Sequence, residues 1–174
     1  MFTKHNTTIK IAVYALILTV FYLLQSVPAL RIRFAGQSPE LMLILTVCVA
    51  YNESETFSAF FGLAAGLLND IVTSSTVGAS AIIFMFTAFL ISVLLQTLLR
   101  RFFLTYVALI LSSISLFLIL NYIIHSVFYG YVPIGQALIQ VILPKFLFSG
   151  VLAYIIYPIM NFTYKKFATG GDTL

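Results

Sequence analysis

Few side chains in this chain could do chemistry: its 174 residues include two histidines, one cysteine and five carboxylates. A hydrolytic triad needs a nucleophile, a base and an orienting acid brought together. Serines are plentiful, but the only bases are His5, in the N-terminal segment, and His125, near the end of an apolar run, where an interfacial side chain is expected. Metal binding needs His, Cys or carboxylates clustered at ligand spacing, and the lone Cys48 sits inside an apolar segment. No glycine-rich loop ends in Lys followed by Ser or Thr, which argues against nucleotide hydrolysis. The sequence therefore nominates no catalytic residue, no metal ligand and no cofactor.

Two ionisable residues stand inside apolar runs, Asp70 and Lys145. Insertion scales charge about 2.5–3.5 kcal/mol for such a group at a membrane-helix centre and less near the interface. Two readings follow: a structural intramembrane ion pair between Asp70 and Lys145 (or two snorkelling side chains), and a polar pocket for a small ligand or a partner's helix. Glu53 and Glu55 fit a solvated turn, or a contact with a partner.

Asp70 belongs to the stretch that must position it, Ser54 to Ala81. Ser58, Gly62 and Gly66 recur every four residues and share one helical face, which Asp70 extends by a turn. A face without bulk lets another helix come close, as in small-xxx-small membrane packing. The polar residues Thr73–Thr76 make a tight turn, and Gly78-Ala79-Ser80-Ala81 opens the next apolar run with a second small-residue face. The pattern predicts a close-packed helical hairpin, with Ser58, Gly62, Gly66, Asp70 and Gly78 as helix-packing or partner-binding residues.

The run Gly62-Leu-Ala-Ala-Gly66-Leu67-Leu68-Asn69-Asp70, followed by Gly78-Ala79-Ser80-Ala81, resembles the signature of the MreD family of bacterial rod shape-determining membrane proteins. The motif covers about twenty positions, and a looser likeness in length, basic N-terminus and segment spacing extends over most of the chain.

Composition bounds the fold. Apolar residues make up 61% of the chain and charged residues 8%, with a mean hydropathy of +1.10. Soluble domains average about 45–50% apolar and 25% charged residues, so the chain belongs to the membrane class. An all-α, polytopic transmembrane bundle of six spans is expected, with residues 1–174 forming one integral membrane domain. The first span runs from Ile11 to Leu24. The second, Leu41 to Tyr51 or Asn52, is too short to cross upright: it is a short span, a tilted span that thins the bilayer, or a re-entrant segment. The third and fourth form the hairpin, the fourth running from Val77 to Leu99. The fifth runs from Phe102 to about Ile124, and the sixth from Ala137 to about Met160, with Pro144 expected to bend it.

The net charge of +4 comes from basic residues beside apolar runs. Lys4, Lys10, Arg100, Arg101, Lys165 and Lys166 fall on one side of a six-span chain, and only Arg31 and Arg33 on the other. The positive-inside bias then puts both termini, residues 1–10 and 165–174, in the cytoplasm.

The resemblance implies further expectations. The MreD family is similar in fold to the six-helix substrate-binding subunits of energy-coupling-factor transporters. It acts with the bitopic MreC in the cell-elongation complex, which includes MreB, RodA and a class B penicillin-binding transpeptidase and guides lateral peptidoglycan synthesis. The leading expectation is a non-catalytic scaffold in the bacterial cytoplasmic membrane. The alternative is a transporter subunit that binds a vitamin-like molecule, which would need a cavity lined by convergent polar groups.

Overall fold

The computed structural model describes residues 3–27, 38–73, 78–97, 103–129 and 143–168. The polar turn at 74–77, the arginines at 31, 33, 100 and 101, most of the Tyr/Pro/Gly link after the fifth segment and the C-terminal tail lie outside them, as do the side chains of His5, His125, Lys165 and Lys166. Among the described residues there are six helices and no strand: α1 (Thr3–Ser26), α2 (Leu41–Asn52), α3 (Glu55–Thr73), α4 (Ala79–Thr97), α5 (Phe103–Tyr129) and α6 (Leu143–Ala168).

Helix α2 is the centre of the bundle. From Met42 to Asn52 every residue is buried, and α2 touches each of the other five helices. The reason lies in its composition: a helix that is apolar all round has no face to give to water and is stable where it is enclosed on all sides. Twelve residues make a helix roughly 18 Å long, well short of a bilayer's hydrocarbon thickness of about 30 Å. The short second segment is therefore an internal strut, wrapped by its neighbours rather than facing lipid. Its side chains Met42, Leu43, Ile44, Leu45, Val47 and Val49 fill the middle of the core together with Tyr106, Phe84, Phe117 and Ile114.

The helices alternate in direction, as short connections require. At one end, which we call proximal, the start of α1 meets the end of α2: Lys10 Nζ lies 2.7 Å from Glu53 Oε2, and the Tyr14 hydroxyl donates to Glu53 Oε1 at 2.8 Å. Ser92, late in α4, donates to the Glu53 carbonyl at 2.9 Å. At the opposite, distal end, Gln25 of α1 donates to Asn69 of α3 at 3.2 Å, and Asn69 in turn to Ser80 of α4 at 3.4 Å. Glu40, immediately before α2, and Lys145, early in α6, meet at this same end. Between these two polar layers the interior is mainly apolar, and the buried hydroxyls of Thr46, Thr87 and Ser113 each donate to a carbonyl of their own helix. Its principal polar link is Cys48 Sγ with the Tyr106 hydroxyl at 2.9 Å, with the Ala153 carbonyl also 3.3 Å from that hydroxyl, tying α2, α5 and α6 together.

The expected bend at Pro144 falls at the edge of the described residues, because α6 is described from Leu143 onward. Pro158 is the proline inside the helix, and it is exposed. Residues 137–142 of the expected segment lie outside the described residues.

Candidate helix-packing and partner-binding site

The α3–α4 hairpin carries the predicted site, and these two helices have the most extensive contact in the bundle. The stripe faces inward as its spacing requires: Ser58, Gly62, Ala65, Gly66, Asn69 and Asp70 are all buried, while Phe60, Leu67 and Ile71 on the far side of α3 are exposed. Glycine is used here for closeness. A Cβ on Gly62 would stand 2.7 Å from the Phe84 carbonyl oxygen and 3.1 Å from Ala88 Cβ. At Gly66 it would collide with Ala81 Cα and lie 2.6 Å from both the Ala81 nitrogen and the Ser80 oxygen. The atoms facing Gly66 are all backbone atoms of α4, which cannot rotate aside, so even alanine at Gly66 forces the helices apart. Small residues on α4, Ala81 and Ala88, complete the fit from the other side.

Asp70 closes the distal end of this hairpin. Its Oδ2 accepts from the Gly78 backbone N–H at 2.7 Å and its Oδ1 from the Ser80 N–H at 3.1 Å. The first N–H groups of a helix have no intrahelical acceptor, and the helix dipole adds a partial positive charge there. A carboxylate from the preceding helix thus caps α4 across the turn. Gly78 serves a separate need: its φ of +94° lies where L side chains are strained, although the space around it is open. Asp70 and Gly78, two residues the sequence nominated, thus form one joint.

The expected ion pair between Asp70 and Lys145 is not formed. Lys145 Nζ pairs at 2.7 Å with Glu40 Oε1, and the Asp70 carboxylate is held by the start of α4. The physical reason is proximity along the chain. The start of α4 presents backbone N–H donors to Asp70 only eight residues along the chain, whereas Lys145 meets Glu40 at the start of α2. Glu40 is nearly enclosed, with 4% of its side chain exposed against 20% for Lys145, and its backbone N–H donates to Ser149 at 3.2 Å. Sequence reasoning passed over Glu40, Ser149 and the Lys10–Glu53–Tyr14 cluster. Glu40 did carry a signal, an acid placed against the first turn of an apolar helix, where the dipole favours negative charge.

Among the described residues, nothing in this arrangement poises a nucleophile beside a base. The enclosed carboxylates and Asn69 hold helices together: Asp70 on α4, Glu40 on α6, Glu53 on α1, Asn69 on α1 and α4. Among the described residues, three helical stretches are long and apolar enough to cross a membrane, Glu55–Thr73, Ala79–Thr97 and Leu104–Ile124; Lys10–Ser26, Leu41–Asn52 and Leu143–Ile156 are shorter apolar stretches. Fold and site together define a helical membrane protein whose conspicuous residues serve packing.

The chain belongs to the MreD family: the family model described as rod shape-determining protein MreD matches residues 6–167, nearly the whole chain. Membership makes it a rod-shape-determining membrane protein, of a structural rather than an enzymatic family. Neither a curated relative nor a solved structure matches it.

Proposed function

We propose that this protein is a non-catalytic scaffold of the cell-elongation complex. In this reading it binds MreC and helps to organise lateral peptidoglycan synthesis, with MreB, RodA and a class B penicillin-binding transpeptidase in the wider assembly. The single observation that supports a scaffold over a carrier is the filled centre. α2 occupies the bundle axis, and its side chains pack against Tyr106, Phe84 and Phe117. The transporter alternative needs convergent polar groups directed at a ligand, and here Gln25, Asn69, Ser80 and Asp70 are joined to one another in a chain of hydrogen bonds.

In the same reading all six helices lie in the cytoplasmic membrane as one domain covering residues 1–174, with α2 carried inside the others and both termini in the cytoplasm. The proximal layer, Lys10 with Glu53, then faces the cytoplasm and the distal layer the cell exterior. A likeness to the energy-coupling-factor substrate subunits would be one of topology without the ligand pocket.

The test is purification of the full chain from rod-shaped cells, with identification of what comes with it. Recovery of MreC, and rounding of cells that lack the protein without loss of a membrane reaction, supports the scaffold. Normal shape combined with loss of uptake of a small nutrient overturns it. Reporter fusions after Lys166 and between Arg31 and Pro39 test the orientation; an external C-terminus rules out the six-span arrangement.

A further inference from the structure

Helix α6 is joined to the bundle with little buried bulk. Among its described side chains the buried ones are Ser149, Ala153 and Ile156, two of them small, with Phe146 and Leu152 partly covered. Leu143, Leu147, Val151, Tyr154 and Ile155 are exposed. Its neighbours are chiefly α2 and α5.

Polar links are correspondingly prominent. Lys145 Nζ lies 2.7 Å from Glu40 Oε1, and Ser149 accepts from the Glu40 N–H at 3.2 Å. Further along, the Ala153 carbonyl accepts from the Tyr106 hydroxyl at 3.3 Å, and that hydroxyl is 2.9 Å from Cys48 Sγ. Glu40 and Lys145 are 105 positions apart, and Cys48 and Ala153 share that offset, so α6 runs beside α2 in one parallel register.

In a bilayer these links decide whether α6 stays in place. Lipid replaces lost apolar contacts at little cost, so a lipid-facing helix is held by close approach and by polar bonds. The strongest bond here is also unbalanced. Glu40 is 3% exposed, its Oε1 is taken by Lys145, and its Oε2 is enclosed without a hydrogen-bond partner. Enclosing a carboxylate in that state is costly, and the Lys145 ammonium offsets the cost by charge. Without that ammonium the carboxylate is stranded until the wall beside it moves and admits water.

We propose that α6 is a movable wall latched over α2 by the Glu40–Lys145 pair: while the pair is made the wall is closed, and when Glu40 is left unpaired the start of α6 swings outward. The hairpin lacks this freedom, because its helices meet backbone to backbone. Opening concerns this chain alone, so recovery of MreC neither supports nor contradicts it.

The experiment measures distances by pulsed electron paramagnetic resonance in the full-length protein in lipid nanodiscs. Spin labels are carried by Leu147→Cys on α6 and Ile82→Cys on α4, both exposed positions, with Cys48→Ala removing the chain's only cysteine. A second pair, Ile82→Cys with Ile119→Cys on α5, reports on the rest of the bundle. With the latch intact the first pair should give chiefly one distance. Lys145→Met should raise the population at a longer distance by roughly tenfold or more, as stranding a largely enclosed charge requires, and leave the second pair unchanged. Adding Glu40→Gln to Lys145→Met should return α6 to the closed distance, because no carboxylate remains to be hydrated. Lys10→Met, which breaks the pair at the other end of α2, should leave α6 closed. The latch is overturned if Lys145→Met leaves the first distance unchanged, or if both label pairs shift together as in general unfolding. It is equally overturned if the doubly substituted protein stays open, or if Lys10→Met opens α6 as far.

Discussion

The α3–α4 hairpin and the central helix α2 are both buried helical elements, but they are held by opposite means. In the hairpin, side chains are subtracted: Gly62 and Gly66 bring backbone against backbone, and a carboxylate caps the joint. Around α2, side chains are added. Large apolar groups fill the space on every face, and an ion pair stands at each end, Glu40 with Lys145 and Glu53 with Lys10. A membrane bundle cannot rely on the hydrophobic effect to drive helices together, because lipid is as apolar as the interior. The two regions are two answers to that problem, close van der Waals approach in one and filled volume pinned by charge in the other. They should also fail differently, the hairpin to added volume and the ends of α2 to unbalanced charge.

The largest expected effect is therefore at Gly66. Gly66→Leu drives a side chain into the α4 backbone, and since overpacking typically costs about 1–3 kcal/mol even where neighbours can adjust, a site walled by backbone should exceed that range. Membrane levels measured by immunoblot should collapse. Normal levels with reduced MreC recovery would instead assign Gly66 to the partner contact. The next effect is at the α2–α6 pair. Lys145→Ala strands the enclosed Glu40 carboxylate, and breaking a buried pair from one side costs up to about 3–5 kcal/mol, less here because Lys145 is partly exposed. Glu40→Gln leaves only a lysine that can turn outward and should be milder. The double variant should lose less than the two singles combined, read from thermal midpoints.

Asp70→Asn comes third. It keeps one acceptor for two N–H groups and weakens the capping charge, a loss of about 0.5–2 kcal/mol. Smallest of all is Ser58→Ala. The Ser58 hydroxyl is buried without a hydrogen-bond partner, so removing it should change stability by less than about 0.5 kcal/mol or raise it slightly. A clear loss at Ser58 would mean that the hydroxyl serves something outside the chain.

The same contrast explains what could be read in the sequence. The hairpin was legible because closeness demands small residues, and small residues at a spacing of four leave a mark that composition does not hide. Asp70 was legible as a carboxylate aimed into protein, but its partner was not. The backbone N–H groups that hold it appear in no pattern of side chains, and the eye goes instead to the oppositely charged Lys145. Helix α2 was legible only as a length. Leu41–Asn52 would be equally apolar facing lipid or enclosed by five helices, so its place at the axis could not be read from its residues. Glu53 read as an ordinary turn acid and Glu40 went unread for a related reason: Lys145 lies more than a hundred positions from Glu40 and Lys10 more than forty from Glu53.

The claim on which the rest depends is that α2 sits in a filled interior, and a matched pair of phenylalanine substitutions tests it most directly. Val47 on α2 is fully enclosed, while Val151 on α6 is 61% exposed. In the purified full-length protein, Val47→Phe should lower the thermal midpoint by roughly 2–10 °C, as overpacking of about 1–3 kcal/mol does in a domain of this size, and Val151→Phe should leave it unchanged. If Val47→Phe is tolerated as well as Val151→Phe, there is room beside α2, either a cavity or lipid, and the filled scaffold gives way to a carrier.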